Sequence, residues 1–315
     1  MTSRVIAADV GGTNIRTAIV DAAGTIHARH RKQAELHRLH AASAEAAAAE
    51  VLAALEEAFR PLLADAPDAG AVGIGFPGFF RGDSGVLVAS PNLPGLADFP
   101  LAERLQASLD LPVHVHNDAL AACLGESRFG AGRGLTHLMH LTLGTGVGGG
   151  AIIDGVPYAG EGGMSMEIGH LRVVDPSLPD ARACGCGGKG CLETYASASA
   201  VAARYAKATG RDWVSPVEIH ARADKGETLA RQVLEEAGAY LGQAIAEAAK
   251  LLDIRTVTVG GGLSQAWEWL YPPLIERMEA RVIPPQRGKI RVLRSTLADD
   301  AGLLGAAALA LDTRP

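Results

Sequence analysis

Two stretches of this chain repeat each other at a fixed distance, and that repeat limits the fold more than any other feature. Shifted by 133 residues, Gly11 to Thr13 falls on Gly144 to Gly146, and Ala18-Ile-Val-Asp21 falls on Ala151-Ile-Ile-Asp154. Each copy reads as strand, glycine turn, strand, turn. In the first copy Arg4 to Val10 is a short apolar strand, Gly11-Gly12 a turn and Ile15 to Val20 a second strand. Asp21-Ala-Ala-Gly24 then turns the chain into a third strand from Thr25. Two matches at one offset suggest a duplicated three-stranded unit, and hence two related domains facing each other. Chance similarity between short stretches rich in glycine and valine is the alternative.

The rest of the chain supplies helices and further strands. Ala41 to Phe59 is alanine-rich and has strong helix propensity. Ala71 to Phe76 reads as a buried strand ending at Pro77-Gly78, and residues 80–96 as surface loop rich in Gly, Pro and Asn. A helix over Leu101 to Leu109 and a strand over Val113 to Val115 lead to Asn117-Asp118, and Ala119 to Phe129 is helical. After residue 195 the pattern is mainly helical. Thr228 to Leu252 and Ala266 to Ala280 are helices around a strand, Thr256 to Val259. A strand over Ile290 to Arg294 and a helix over Ala301 to Leu311 close the chain.

With 315 residues, 48% hydrophobic and 20% charged, the chain is long and apolar enough for two globular domains. Its formal net charge of −6 argues against a general nucleic-acid binder, which needs a positive face to displace counterions. No apolar run reaches the roughly 18 residues needed to cross a bilayer. The first residues lack the apolar core of a secretory signal. A cytoplasmic protein with no membrane partner is therefore expected.

Three glycine motifs follow strands. Asp9-Val-Gly11-Gly12-Thr13 is one in which backbone N–H groups can point at phosphate oxygens, Thr13 can add a hydroxyl, and Asp9 can hold Mg²⁺ through water. An ordinary β-turn is the alternative. The second, Leu143-Gly144-Thr145-Gly146-Val-Gly148-Gly-Gly150, is not a Walker loop, because no Lys-Ser or Lys-Thr ends it. A strand pattern rather than a helix follows it, so it is no dinucleotide fingerprint either. It fits the outer phosphates of a nucleotide. The third, Gly260-Gly261-Gly262-Leu-Ser264, lets a flat base approach the backbone, or is a helix entry with Ser264 as N-cap.

Cys184, Cys186 and Cys191 fall within eight residues, after His170. Three thiolates and an imidazole make a closed tetrahedral zinc site of the structural kind. Buried, unligated cysteines are the alternative. Asn117-Asp118 places a carboxylate between a strand end and a helix start, where it can accept a proton from an attacking hydroxyl, or simply cap the helix.

Taken in order, these motifs resemble the ROK family of bacterial sugar kinases and related repressors. Glu167-Ile-Gly-His170 with the cysteine cluster and Cys191-Leu-Glu193 is the most specific part of the match. The resemblance implies an α/β, actin-like (ribonuclease-H-like) fold of two domains with a cleft between them. Residues 1–118 with 302–315 would form the small domain, and residues 119–301 the large one with the zinc loop. It further implies ATP with Mg²⁺ against the glycine motifs, a structural Zn²⁺ on His170, Cys184, Cys186 and Cys191, and Asp118 as catalytic base. Asn92, Asn117, Glu167, His170 and Glu193 match sugar-binding positions, with Gly78 as a backbone contact. A small-molecule sugar and a second copy of the chain, in a homodimer, are the expected partners. Among the family's enzymes the glucokinases are the most similar, through Ser90-Pro-Asn-Leu-Pro-Gly95 and Asp299-Asp-Ala-Gly302. The chain departs from the usual pattern at Gly163-Met-Ser-Met166, where small residues normally precede the glutamate. The family's repressors carry a winged-helix domain first, for which the start of the glycine motif at Asp9 leaves no room.

Overall fold

A computed structural model describes residues 4–34, 36, 43–91, 93 and 95–312. The chain opens with β1 (Arg4–Val10), β2 (Asn14–Asp21), β3 (Ile26–Gln33) and α1 (Ala44–Asp65). Next come β4 (Val72–Phe76), β5 (Phe79–Phe80), β6 (Leu87–Ala89), β7 (Ala97–Phe99), α2 (Leu101–Leu109), β8 (Val113–Asn117) and α3 (Asp118–Phe129). A second set begins with β9 (Leu138–Leu143), β10 (Val147–Ile153) and β11 (Val156–Pro157). Helices α4 (Glu193–Ala196), α5 (Ala198–Thr209), α6 (Pro216–Asp224) and α7 (Thr228–Leu252) follow. The chain ends with β12 (Thr256–Gly260), α8 (Trp267–Arg281), β13 (Arg291–Arg294) and α9 (Ala301–Asp312).

The repeat read from the sequence is the plan of the structure. The first sheet runs β3-β2-β1-β4-β8 and the second β11-β10-β9-β12-β13, the same order in each copy. In each, an antiparallel hairpin side joins a parallel side: β1 pairs antiparallel with β2 and parallel with β4, and β12 pairs parallel with both β9 and β13.

The chain divides into two compact units, Met1–Thr136 with Gly150–Ser165 and Asp300–Pro315, and His137–Gly149 with Met166–Asp299. These bounds differ from a division at residue 118, because α3 and residues 150–165 belong to the first unit. Glycine explains the packing. A Cβ on Gly305 of α9 would stand 1.7 Å from the Ala121 carbonyl oxygen of α3, and one on Gly125 of α3 2.3 Å from that of Ala301. A Cβ on Gly150 would meet Cys123 at 2.6 Å, and one on Gly163 the Phe80 carbonyl oxygen at 1.8 Å. Such contacts join residues far apart in sequence, so local pattern does not reveal them.

In the first unit β1 and β4, at the centre of the sheet, are buried on both faces, which is why β1 reads as a nearly continuous apolar run, whereas β3 at the edge is largely exposed. Ile6, Ala8 and Val10 share a core with Val51, Leu55, Phe59 and Leu62 of α1, a helical stripe. Residues 80–96 are a correction. They contain β6 and the end of β5, which with β7 form a three-stranded sheet, and Leu87, Leu93 and Leu96 are buried. The glycines and prolines there mark turns, but the leucines between them are core. In the second unit, glycines let α7 lie against α8, since a Cβ on Gly242 would fall 2.0 Å from the Leu274 carbonyl oxygen.

Gly305→Ala is expected to destabilise the first unit by about 3 kcal/mol, because the clash is with backbone and not with a movable side chain. Gly70→Ala, where a Cβ meets nothing within 4 Å, serves as the control. Thermal melts of the two variants check this: a large drop in Tm for the first and little change for the second.

Candidate active site

In the first unit, β1 and β2 carry the first glycine turn. The Gly11 N–H donates to the Asn14 carbonyl at 2.9 Å, which closes the turn. The Thr13 hydroxyl accepts from the Asn14 amide at 2.8 Å. Asp9 lies opposite Arg16 in the β1–β2 register, and its carboxylate accepts from the Arg16 guanidinium. From the other side Gly302 approaches so closely that a Cβ there would stand 3.0 Å from the Asp9 carboxyl carbon. Asp9, Gly11, Gly12 and Thr13 are thus one compact loop, with the Asp9 carboxylate beside the start of α9.

The β8–α3 junction brings Asn117 and Asp118 together. The Asn117 side-chain oxygen accepts from the N–H groups of Ala119 and Leu120 at 2.9 and 3.1 Å, and its amide donates to the Gly78 carbonyl at 3.1 Å. Asn117 is therefore the N-cap of α3, and at Gly78, expected as a backbone contact to the sugar, the carbonyl already accepts this protein hydrogen bond. Asp118 Oδ1 accepts from the Ala119 N–H at 2.9 Å, which orients the carboxylate at the head of the helix. Asn92 lies outside the described residues.

In the second unit the other two glycine motifs meet. Gly261 has φ +81, and a Cβ on it would fall 2.5 Å from the Leu143 carbonyl oxygen, so only glycine fits. Ser264 does not cap α8. Its hydroxyl donates to the Gly261 carbonyl at 2.7 Å inside a short 3₁₀ turn, and α8 begins later, at Trp267. The Gly144 N–H donates to the Gly146 carbonyl at 3.0 Å, and Thr145 is exposed at the tip between them. Glu193 clamps this loop: one oxygen accepts from the Val147 N–H at 3.0 Å, and a Cβ on Gly146 would stand 2.2 Å from that oxygen.

The cysteine cluster forms as the sequence predicts. Ligand atoms of His170, Cys184, Cys186 and Cys191 all lie within 4.8 Å of one another. Cys184 Sγ is 3.6 Å from His170 Nδ1, and Cys186 Sγ is 3.7 Å from Cys191 Sγ. Sulfurs bound about 2.3 Å from one tetrahedral ion stand about 3.8 Å apart, so the spacing fits zinc. Burial first, and then the thiols of Cys186 and Cys184, push the Cys191 thiol up to about 12. A backbone N–H at Gly188, followed by the neighbouring thiols, holds Cys186 low. A cation among them favours the thiolate at every position.

Glu167 and Glu193 flank this centre. Glu167 Oε2 is 3.7 Å from His170 Nε2, the nitrogen not facing Cys184. Burial, and to a lesser degree the nearby Glu193, raise the Glu167 carboxyl above the usual range, while His170 opposes that rise. Met166, just before it, has φ +58, a left-handed conformation unusual for a side chain of that size.

Sequence reasoning missed the residues that hold the cluster in place. The Arg182 N–H donates to the Tyr195 hydroxyl at 3.0 Å, and its guanidinium lies 4.3 Å over the Tyr195 ring. Gln243 of α7 donates to the Val173 carbonyl at 2.8 Å. Only the proximity of Tyr195 to Glu193 in the chain hints at such a role.

Known proteins resemble this chain along nearly its whole length. A family model described as the ROK family matches residues 5–313. A glucokinase from Thermotoga maritima is 32% identical over 319 residues, covering 97% of this chain and 96% of its own. An N-acetylmannosamine kinase from Escherichia fergusonii is 35% identical over 307 residues, covering 97% of each chain. The crystal structure of a ROK family glucokinase from Streptomyces griseus, in complex with glucose and AMPPNP, superposes with a TM-score of 0.81 at 33% identity, over 99% of this chain and 100% of that one.

Proposed function

The chain belongs to the ROK family, has the actin-like ATPase fold and is an ATP-dependent sugar kinase, and we propose that its acceptor is the 6-hydroxyl of glucose. The observation that carries the choice of hexose is the likeness, along nearly the whole chain, to a glucokinase that binds glucose with an ATP analogue. In this reading Asp118 takes the proton from the 6-hydroxyl as that oxygen attacks the γ-phosphorus. The bond from the γ-phosphorus to the bridging oxygen breaks, and ADP leaves.

Asn92, Asn117, Glu167, His170 and Glu193, with the Gly78 backbone, read the sugar hydroxyls. Such a site rejects a sugar that leaves its buried polar groups unpaired. The three glycine motifs hold ATP, with Asp9 toward a hydrated Mg²⁺. Zinc on His170, Cys184, Cys186 and Cys191 supplies no reaction step; it fixes the orientation of the imidazole and of the segment leading to Glu193.

One observation favours a second reading, an N-acetylmannosamine acceptor: the 35% identity to a kinase of that specificity. Met166 argues for glucose, since an N-acetyl group at C2 needs room near residues 164–167. Steady-state kinetics with ATP across glucose, mannose, fructose, N-acetylglucosamine and N-acetylmannosamine decide the matter. Glucose is expected to give the highest kcat/KM; a higher value for any other sugar overturns the glucose reading and leaves the kinase standing. Met166→Gly relaxes the left-handed backbone, a cost of about 1 kcal/mol, and removes the side chain. It is expected to shift the kcat/KM ratio toward N-acetylmannosamine by about tenfold.

A further inference from the structure

We infer that His220 and Asp224 of α6 and Glu268 of α8 form a second metal site, open to solvent and fitted to a borderline transition-metal dication such as Zn²⁺. The inference rests neither on the kinase reading nor on the cysteine cluster.

The helices bring the three side chains together within the second unit. His220 and Asp224 are four residues apart on α6, so they lie one above the other on one face. Glu268 is in the first turn of α8. Ligand atoms of all three lie within 4.8 Å of one another. His220 Nε2 is 2.8 Å from Glu268 Oε1 and 3.6 Å from Asp224 Oδ2. Nitrogen and oxygen ligands bound at about 2.0–2.1 Å to one tetrahedral ion stand about 3.4 Å apart, and the two observed spacings bracket that separation.

The three groups do not satisfy one another. The 2.8 Å contact is a hydrogen bond, and 3.6 Å is too long for one. One ring nitrogen carries at most one hydrogen, so Nε2 serves Glu268 and leaves Asp224 Oδ2 facing it unbonded. Among the described residues no lysine or arginine pairs with Asp224 or Glu268. Other carboxylates around α6 are neutralised: Arg222 holds Glu218 at 2.6 Å and Glu227 at 3.3 Å. A dication would engage the imidazole and both carboxylates at once.

A second observation points the same way. Trp269 Nε1–H donates to Asp224 Oδ1 at 2.9 Å, and the Arg231 guanidinium lies 4.5 Å over the Trp269 ring. One carboxylate oxygen is thus held by an outer partner while the other faces His220. Metal-binding carboxylates are oriented in this way.

The donor set selects the ion. An imidazole with two carboxylates suits zinc and its neighbours, whereas Mg²⁺ and Ca²⁺ take oxygen ligands. The His220 side chain is 22% exposed, and those of Asp224 and Glu268 are 49% and 52% exposed. Water can therefore complete the coordination, and the ion can exchange with solvent. Such a site holds zinc less tightly than three thiolates and an imidazole do, so purification empties it and titration refills it. The ion would fasten α6 to the start of α8, directly after the 3₁₀ turn Gly262–Ala266.

The test titrates Zn²⁺ into the full-length protein already carrying one zinc per chain, in millimolar Mg²⁺, by calorimetry and thermal melts. A second equivalent is expected to bind to the wild type, and Tm to rise with zinc concentration. His220→Asn should weaken the second equivalent by more than about 100-fold and abolish that rise; Trp269→Phe should weaken it about tenfold, by freeing Asp224. Should His220→Asn not fold, Glu268→Gln, at an exposed position, carries the same test. Wild-type protein that takes up no second zinc overturns the inference. So does a second equivalent bound within about threefold as tightly by His220→Asn or Glu268→Gln. If the purified protein holds no zinc on its cysteines, the cluster reading fails by itself. Zinc binding to Cys186→Ser, with and without His220→Asn, then still decides the second site.

Discussion

Asp118→Asn is expected to reduce kcat by about 10²–10⁴-fold and to leave the protein folded and able to bind sugar. The size follows from the role: phosphoryl transfer asks the protein mainly for positioning and charge, and the acceptor hydroxyl must still lose its proton. An amide cannot accept that proton at neutral pH. Structurally, the exchange is mild. Asp118 Oδ1 accepts from the Ala119 N–H, and an amide oxygen can do the same. The cap of α3 belongs to Asn117, whose side-chain oxygen accepts from two helix N–H groups.

The neighbouring position supplies the contrast. Asn117→Ala loses the cap and the bond to Gly78 and should cost about 1–2 kcal/mol, seen as a lower Tm. The measurements are steady-state kinetics and thermal melts on both variants. A folded Asp118→Asn protein turning over within tenfold of wild type removes Asp118 from the base role.

These adjacent residues also show what the sequence discloses and what it hides. Asn-Asp between a strand and a helix reads equally well as a cap or as a base, and in the structure Asn117 is the cap. The glycine motifs, the cysteine cluster and the element order were legible, because each depends on residues close together or on a repeat offset. The packing of α3 on α9 was not. It depends on Gly125 and Gly305, which touch the backbone of residues far away in the chain. The β5–β6–β7 sheet was hidden for a related reason. Its turn residues are plain in the sequence, but burial of Leu87, Leu93 and Leu96 is a tertiary fact. Glu193 was recognised only as a candidate sugar ligand. Its hold on Val147 exists because the cysteine hairpin folds back onto the β9–β10 turn.

Purified protein is expected to carry one zinc per chain, and Cys186→Ser to lose the metal and sugar binding together. Three of the four ligands, Cys184, Cys186 and Cys191, sit on one short hairpin, and His170 lies on the 3₁₀ turn that precedes it. The Cys184 N–H donates to Gly188 and the Gly190 N–H to Arg182, while Gly187 and Gly190 adopt positive φ. Cys186 and Lys189 are exposed. A loop of this kind owes its shape to its cross-link, and structural zinc supplies folding free energy directly.

The effect travels by short steps. Cys191 is followed two residues later by Glu193, and the Leu192 N–H donates to the Leu171 carbonyl, beside His170. Loss of the ion loosens His170 and Glu193 together, and with Glu193 the Val147 end of the second glycine loop. The sugar KM should therefore rise by at least tenfold, the loss typical of disturbing groups around a metal. The ATP KM should rise less, through that loop. Because thiols must be deprotonated to bind, zinc affinity falls as pH falls, and acid with a chelator should reproduce the mutant. Elemental analysis, hexose kinetics and ATP kinetics on the wild type, Cys186→Ser and the chelated protein make the check. Active protein without zinc, or a zinc-free variant with unchanged sugar KM, would separate the cluster from the sugar site.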